Sequence, residues 1–354
     1  MKDQKRVTAR DVAALASVSP GTVSKAFSRN GPVHPDTRAR IFDAARELGF
    51  RGVPDDVPEI AGRTRTVGLV TRDPFDRRTA PMLLGLLERL TEHDIAFLVC
   101  DGRGDPIREQ YFIDSLQRRQ VDGYIVSGSE PGTFSRRSLA THVDAPVVYA
   151  MTTSTNDSDI SVVPDNRGGV ELAARHVLQT GRRRVVCVLG PAHEDAAHQK
   201  ESVTRAILQA NGLDLVAPPL CGQWDEEWGR QAARQLVHDE VHFDAVICGN
   251  DVLARGVCST LQGLGMSVPG DVAIVGFDNW GLMVEANRPR LTSVDLRLPE
   301  VGRVAAQKLI DAIEGRPPAP GTTYIESRLV ARESTALPTG AGREVVRRLL
   351  DARD

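Results

Sequence analysis

The chain is 354 residues long, 41% apolar and 26% charged, with a formal net charge of -3. Such a length exceeds one ordinary hydrophobic core, so two or three globular domains are expected. No apolar run approaches the roughly 20 residues of a membrane span, and the polar N-terminus lacks the apolar stretch of a secretory signal, which predicts a cytoplasmic protein with no membrane partner.

Charge is spread unevenly. The first fifty residues hold nine Lys or Arg against five Asp or Glu, a net +4, which leaves -7 for the remainder. A basic head on an acidic body points to a polyanion as the partner of the head alone. Within that head, Thr8 and, three residues later, Asp11 have the spacing of a capping box. They predict a first helix running to about Ala16 with Val12, Leu15 and Ala16 inward. Ser17-Val18-Ser19 makes a short turn, and Ser19 then caps a second helix whose first position is Pro20. Val23, Ala26 and Phe27 share one face of that helix, and Gly21, Thr22, Ser24 and Lys25 share the other. A third helix is predicted over 35–48, with Ile41, Ala44, Ala45 and Leu48 inward. Together these form a helix-turn-helix unit that turns the start of its second helix outward, where short polar side chains and free backbone N–H groups can meet phosphates and base edges. The alternative is a small helical bundle whose polar face is merely solvated.

After Arg63 apolar strands alternate with amphipathic helices. Strands are predicted at 67–71, 95–100, 123–127 and 147–151, then in a second series at 160–163, 185–189, 245–248 and 272–277, with helices such as 169–179 and 252–264 between them. This alternation is that of an α/β fold of doubly wound parallel sheets, with sites at the carboxyl ends of the strands; two series predict two lobes and a cleft. Polar residues collect at those ends: Arg72 and Asp73, Asp165 and Asn166, Asn250 and Asp251, and Asp278 with Asn279 and Trp280. Singly, each is as readily a helix cap or turn residue. Several around one cleft predict a polar small-molecule site. The five cysteines are widely spaced without a CxxC pair and read as buried thiols. No GxxxxGK[ST] loop, GxGxxG turn after a strand, GxSxG elbow or HExxH pair occurs, and the eight histidines have no ligand spacing. Neither an enzyme nor a metal or cofactor site is expected.

VTARDVAALASVSPGTVSKAF, PDTRARIFDAARELGF, VDGYIVSGS, PDNRGGVELAARHVLQTGRRRVVCVLG, ICGNDVLARGV, SVPGDVAIVGFDN and LVARESTA, in this order, resemble the landmarks of bacterial transcription regulators of the lac-repressor type. The resemblance covers all but the C-terminal tail. It implies a helix-turn-helix head over 1–50, a hinge over 51–65, a periplasmic-binding-protein-like core of two interleaved lobes over 66–338 and a tail over 339–354. It further implies a homodimer, or a higher oligomer, that acts as a repressor by reading a pseudo-palindromic operator in double-stranded DNA. A small polar effector between the lobes would control that binding allosterically.

By position, the resemblance implies that Thr8 and Ser19 meet phosphates and that Pro20, Gly21, Thr22, Ser24 and Lys25 approach bases, with Arg10 and Arg29 completing the DNA-contacting set. Lys25 stands where most relatives have Arg, which replaces a forked contact to guanine by a point charge. For the effector the implied set is Asp73, Phe75, Asp165, Lys200, Trp224, Asn250, Asp251 and Asp278, with Lys200 at the usual place of an anchoring arginine. An aromatic face with convergent carboxylates and amides suits a sugar or nucleoside. For Trp224, ordinary core packing is the alternative.

The family pattern breaks at the hinge, which reads RGVPDDVPEIAGR. Pro54 and Pro58 oppose a helix, Asp55, Asp56 and Glu59 would face phosphates with the wrong charge, and Glu59 stands where relatives place a leucine wedge for the minor groove. An extended hinge is expected. TRDPFDRRTAP likewise replaces the usual aromatic segment after the first core strand, leaving Phe75 as the candidate wall. REVVRRLLDARD puts Val345, Val346, Leu349 and Leu350 at helical spacing, as an oligomerisation helix or as a tail packed on a lobe. Two rival functions stand beside the main one: a regulator without a small-molecule effector, and a transport-type binding protein of the same core fold, which the head opposes.

Overall fold

Residues 8–27, 33–48, 50, 63–73, 76–128 and 132–336 are described by a computed structural model, and they fall into two units divided after Arg63. Residues 51–62 of the hinge expected over 51–65, the whole tail expected over 339–354, Arg29 and Phe75 lie outside the described residues.

In the head, α1 (Ala9–Leu15), α2 (Pro20–Phe27) and α3 (Pro35–Leu48) follow the predicted spans. At the start of α1 the Asp11 carboxylate accepts from both the backbone N–H and the hydroxyl of Thr8, each at 2.7 Å. The chain then turns through Ser17, whose φ of 52° lies in the left-handed region. Ser19 Oγ accepts from the Thr22 N–H at 3.1 Å, which caps α2 at the place the hydroxyl and Pro20 predict. Val12, Ala13, Ala16, Val23, Ala26 and Ile41 make the small core, and Phe27 presents its ring to the edges of Phe42 and Phe50 at 4.9 and 5.9 Å. Leu15 departs from expectation: it is 44% exposed, because α1 is short and turns Val12, Ala13 and Ala16 inward, which leaves Leu15 at the rim. Arg38 Nη1 donates to the Ala26 carbonyl at 2.6 Å, a cation at the end of α2 where the helix dipole favours one.

The core opens with β1 (Thr66–Thr71), α4 (Thr79–Glu92), β2 (Ala96–Asp101), α5 (Pro106–Arg118), β3 (Gly123–Ser127), β4 (Ser135–Arg136), β5 (Val147–Ala150), β6 (Thr153–Ser154) and β7 (Ile160–Pro164). A second lobe follows with α6 (Asn166–Gln179), β8 (Val185–Leu189), α7 (Asp195–Gln209), β9 (Leu220–Cys221), α8 (Glu226–His238), β10 (Ala245–Cys248), α9 (Asp251–Gly263), β11 (Ala273–Phe277), α10 (Gly281–Ala286) and β12 (Thr292–Asp295). The chain returns to the first lobe with α11 (Leu298–Ile313) and β13 (Gly321–Ile325) and ends its described course on the second with β14 (Arg328–Val330). The first sheet has the order β13-β7-β5-β3-β1-β2 and is parallel throughout. The second has the order β14-β12-β11-β10-β8-β9, with only β14 antiparallel to its neighbour.

Helices cover both faces of each sheet, which is why the central strands are unbroken apolar runs such as VVCVL and AIVGF. On the first lobe α4 and α11 touch backbone to backbone: a Cβ at Gly85 would fall 1.9 Å from the Pro299 carbonyl oxygen, and one at Gly302 would fall 2.1 Å from that of Met82. Only glycine at both crossing points permits this approach.

One strand assignment from the sequence is corrected. The segment at 160–163, read as the first strand of the second series, is β7 of the first sheet, between β5 and β13. Its own pattern is that of any βα unit, and a strand from the far end of the chain decides which sheet receives it. The chain therefore crosses between lobes three times, after β7, β12 and β13, and β12, β13 and β14 were not anticipated. Among the described residues no helix is long and apolar enough to cross a membrane.

Candidate functional site

Two surfaces, one in each unit, hold the predicted residues. In the head, Thr8, Arg10, Ser19, Pro20, Gly21 and Lys25 are exposed and Thr22 and Ser24 half-buried. The hydroxyls of Ser19 and Thr22 are linked at 2.8 Å, so both are oriented before any ligand arrives. Gly21 has no side chain, and an approaching group can reach the α2 backbone there. With Val23 and Ala26 buried beneath, the outward face of α2 is short, polar and rigidly backed, ending in the one cation Lys25.

In the core, the carboxyl ends of β1 and β11 meet across the lobes. The backbone after β11 passes through Asp278 and Asn279 with φ of 91° and 50°, a conformation that costs non-glycine residues energy and turns the Asp278 carboxylate inward. That turn is fixed from behind by Asp251, which accepts from Ser293 Oγ at 2.6 Å and from the Trp280 N–H at 2.7 Å. Burial, with the nearby Asp278 charge, raises the Asp251 carboxyl well above its ordinary range. Asn250 is wholly buried: its Oδ1 caps α9 through the Leu253 N–H at 2.8 Å and its Nδ2 reaches the Trp224 carbonyl at 3.5 Å. Asn250 and Asp251 thus brace the site from behind, while Asp278 faces it.

Asp278 has 6% of its side chain exposed and is met from the first lobe by Arg77 Nε at 2.8 Å and Arg78 Nε at 3.9 Å. Burial alone would raise this carboxyl, but the charges of Arg77, Arg78 and Lys200 hold it below its ordinary value. Lys200, on α7, sets its Nζ 5.0 Å from the Phe277 ring centre and 5.8 Å from that of Trp224. Burial pushes this amine down to about 8. Trp224 lies in a notch between two chain segments. Its Nε1 donates to Glu194 at 2.8 Å, and Cβ atoms at Gly190 and Gly249 would fall 2.0 and 2.6 Å from its ring. The indole therefore has one face packed on backbone and Lys200 over its ring system.

Three cavities open in the core, one of them lined by Arg77 and Asp278. One of about 460 Å³ includes Arg77, Asp278, Trp280 and Asp295; one of about 500 Å³ includes Phe134, Met151, Asp165, Gln199 and Tyr324. Asp165 caps α6 through the Gly168 N–H at 2.8 Å and so edges the second rather than the cluster around Asp278. The third, also about 460 Å³, lies in the first lobe beside Arg72, Arg136 and Glu109. Asp73 is exposed and lines none of the three. The structure thus groups Lys200, Trp224, Asn250, Asp251 and Asp278, and sets Asp73 and Asp165 apart. Arg77 and Arg78 were not anticipated. Their signal was present: two adjacent cations at the start of α4, where the helix dipole disfavours them, require something nearby to hold them.

Comparison with known proteins fits this arrangement. Residues 8–52 match the family described as bacterial regulatory proteins, lacI family, and residues 174–335 match the periplasmic binding protein-like domain. The HTH-type transcriptional repressor CytR of Escherichia coli (strain K12) is 29% identical over 344 residues, covering 95% of this chain and 99% of CytR. The solved transcriptional regulator CelR-cellobiose complex is 30% identical with a TM-score of 0.65, covering 93% of this chain and all of that one. A lac repressor dimer bound to operator and an anti-inducer superposes with a TM-score of 0.72 over 94% of this chain and all of that one, at 20% identity, a likeness of fold alone.

Proposed function

Since this chain belongs to the lacI family of bacterial regulatory proteins, we propose that it is a cytoplasmic repressor whose operator binding is set by a small polar effector in the core cleft. The chain is a transcription regulator and not an enzyme. The observation that carries the proposal is the Asp278 cluster: a carboxylate, an amine and an indole converge between two lobes, in a chain that also carries a helix with an outward polar face.

At the head, Thr8, Arg10 and Ser19 meet phosphates, and Pro20, Gly21, Thr22, Ser24 and Lys25 approach base edges in the major groove, with Arg29 at the far end of the set. In the cleft, Trp224 offers a ring face, Asp278 and Lys200 take hydroxyl or anionic groups, Asn250 and Asp251 brace them, and Asp73, Phe75 and Asp165 form the rim. A sugar or nucleoside fits that chemistry, and the CelR relative is named as a complex with cellobiose. The functional unit is a homodimer reading a pseudo-palindromic operator. Supporting it, β2 is an edge strand with Leu98 and Val99 exposed, and the neighbouring α4 exposes Leu84 at 67% and Leu87 at 42%; an open apolar edge of this kind calls for a covering surface. The chain is organised as head 1–50, hinge 51–65, core 66–338 and tail 339–354. The test is a pull-down of fragmented host DNA by the purified protein, with and without sugars and nucleosides. A few palindromic sites whose recovery changes with one ligand class support the proposal; recovery unchanged by every ligand favours a regulator without an effector.

A further inference from the structure

Around Asp278 the donors outnumber the acceptors. Arg77 Nε uses the Asp278 carboxylate directly at 2.8 Å. Arg78 Nε, on the same carboxylate's other side at 3.9 Å, is buried and has no hydrogen-bond partner. Lys200 Nζ approaches from the second lobe beside the faces of Phe277 and Trp224 and within the field of Asp278; among the described residues it donates no hydrogen bond to a carboxylate or carbonyl. A half-buried ammonium against two ring faces and a buried guanidinium nitrogen each lose water contacts without gaining a protein acceptor, so both call for one. The other acids nearby are already engaged. Glu194 accepts from Trp224, Asp76 takes the Arg78 backbone N–H at 2.9 Å and stands 3.8 Å from Arg77, and Asp251 is held by Ser293 and Trp280. The positive end of α4, which starts at Thr79, adds to the same field.

We propose that the effector carries an anionic group, a carboxylate or a phosphoryl, on a ring compound, and that Lys200 and Arg78 receive it from opposite lobes while the Trp224 face receives the ring. This rests on the effector reading above and narrows it to acidic or phosphorylated ligands. The Arg77–Asp278 pair holds the lobes together without ligand. The anion supplies the acceptor that Arg78 and Lys200 lack, and so adds a second tie across the cleft that a neutral sugar cannot make.

All three tryptophans, Trp224, Trp228 and Trp280, lie in the core, so their emission reports the cleft without interference from phosphate bound at the DNA-reading head. Full-length protein is titrated at constant ionic strength with inorganic phosphate, glucose, glucuronate and glucose 6-phosphate. The same titrations are run on Lys200→Gln, Lys200→Arg and Arg78→Gln, with thermal melting of each variant to establish that it folds. The expected result is a response to phosphate and to one of the two anionic sugars at least tenfold more sensitive than to glucose. That response weakens about tenfold or more in Lys200→Gln and in Arg78→Gln and is kept in Lys200→Arg. Glucuronate against glucose 6-phosphate separates carboxylate from phosphoryl. A response to glucose that equals or exceeds those to the anions overturns the proposal and leaves the effector reading standing. No response to phosphate or to either anionic sugar overturns the proposal, as does an anion response that Lys200→Gln and Arg78→Gln leave intact; the effector reading itself fails only if operator recovery is also unchanged by every sugar and nucleoside.

Discussion

Replacing Lys200 by Met should stabilise the ligand-free core at neutral pH. The amine is pushed from its ordinary 10.5 down to about 8 by burial, with the charges of Arg78 and Arg77 acting in the same direction and those of Asp278 and Glu194 against it. Each tenfold change in proton affinity is worth about 1.4 kcal/mol, so burying the charged amine costs the fold roughly 3 kcal/mol at pH 7. The sign follows from proton counting. Between about pH 8 and about pH 10.5 the unfolded chain holds a proton on this lysine that the folded chain has released, so the wild type gains stability as pH rises through that window. Met fills nearly the same volume without a charge and has no such window. Urea unfolding followed by tryptophan emission should find the variant more stable by about 2–3 kcal/mol near pH 7, with the gap narrowed to about half near pH 9.5 and closed only above about pH 10.5. A variant less stable than wild type at pH 7, or a gap of the same size at both pH values, would refute the claim that an uncompensated buried amine sits in the cleft.

Asp278→Asn strips the counter-charge from Arg77 and Arg78 and should cost about 3–5 kcal/mol at pH 7. Because those cations hold the carboxyl below its ordinary value, its contribution is present above about pH 4 and fades as pH falls through the folded-state value, so acid titrations of wild type and variant should converge. Gly190→Ala would place a methyl 2.0 Å from the Trp224 ring; about 1–3 kcal/mol of destabilisation and a changed tryptophan emission spectrum are expected from denaturation and fluorescence. Lys25→Ala should weaken operator binding by about 1–3 kcal/mol and lower the salt dependence by about one ion, measured by gel shift across a salt series. Leu98→Lys, on the exposed edge strand β2, should shift sedimentation from dimer toward monomer without lowering the melting temperature of the monomer.

Much of the architecture was legible because its causes are local. The capping residues Thr8, Asp11 and Ser19, the helix-starting Pro20 and the unbroken apolar strands each act within a few residues of themselves. β7 was misplaced because sheet membership is not local: β13, from near the end of the described chain, completes its hydrogen bonding. β12, β13 and β14 carry no strand signal for a related reason: TSVD is buried but mostly polar and GTTYI alternates half-exposed, so strand pairing and not hydrophobicity turns them into sheet. In the candidate site, Asp278 is legible as a polar residue at a strand end, whereas Lys200 and Trp224 come only through resemblance, and no spacing in the sequence links the three. Arg77 and Arg78 carry a local signal as two cations at a helix start, but their partner is not local: Asp278 lies some two hundred residues away and meets them only across the lobes.

The most direct test of the account is the affinity of the full-length protein for a palindromic site recovered from host DNA, measured at physiological salt with and without the ligand that changes the tryptophan emission. The expected result is tight, sequence-dependent binding that the ligand shifts by at least about fivefold, with the operator shifting the ligand's affinity by the same factor, as linkage requires. Binding that is weak, salt-labile and indifferent both to sequence and to the ligand would contradict it.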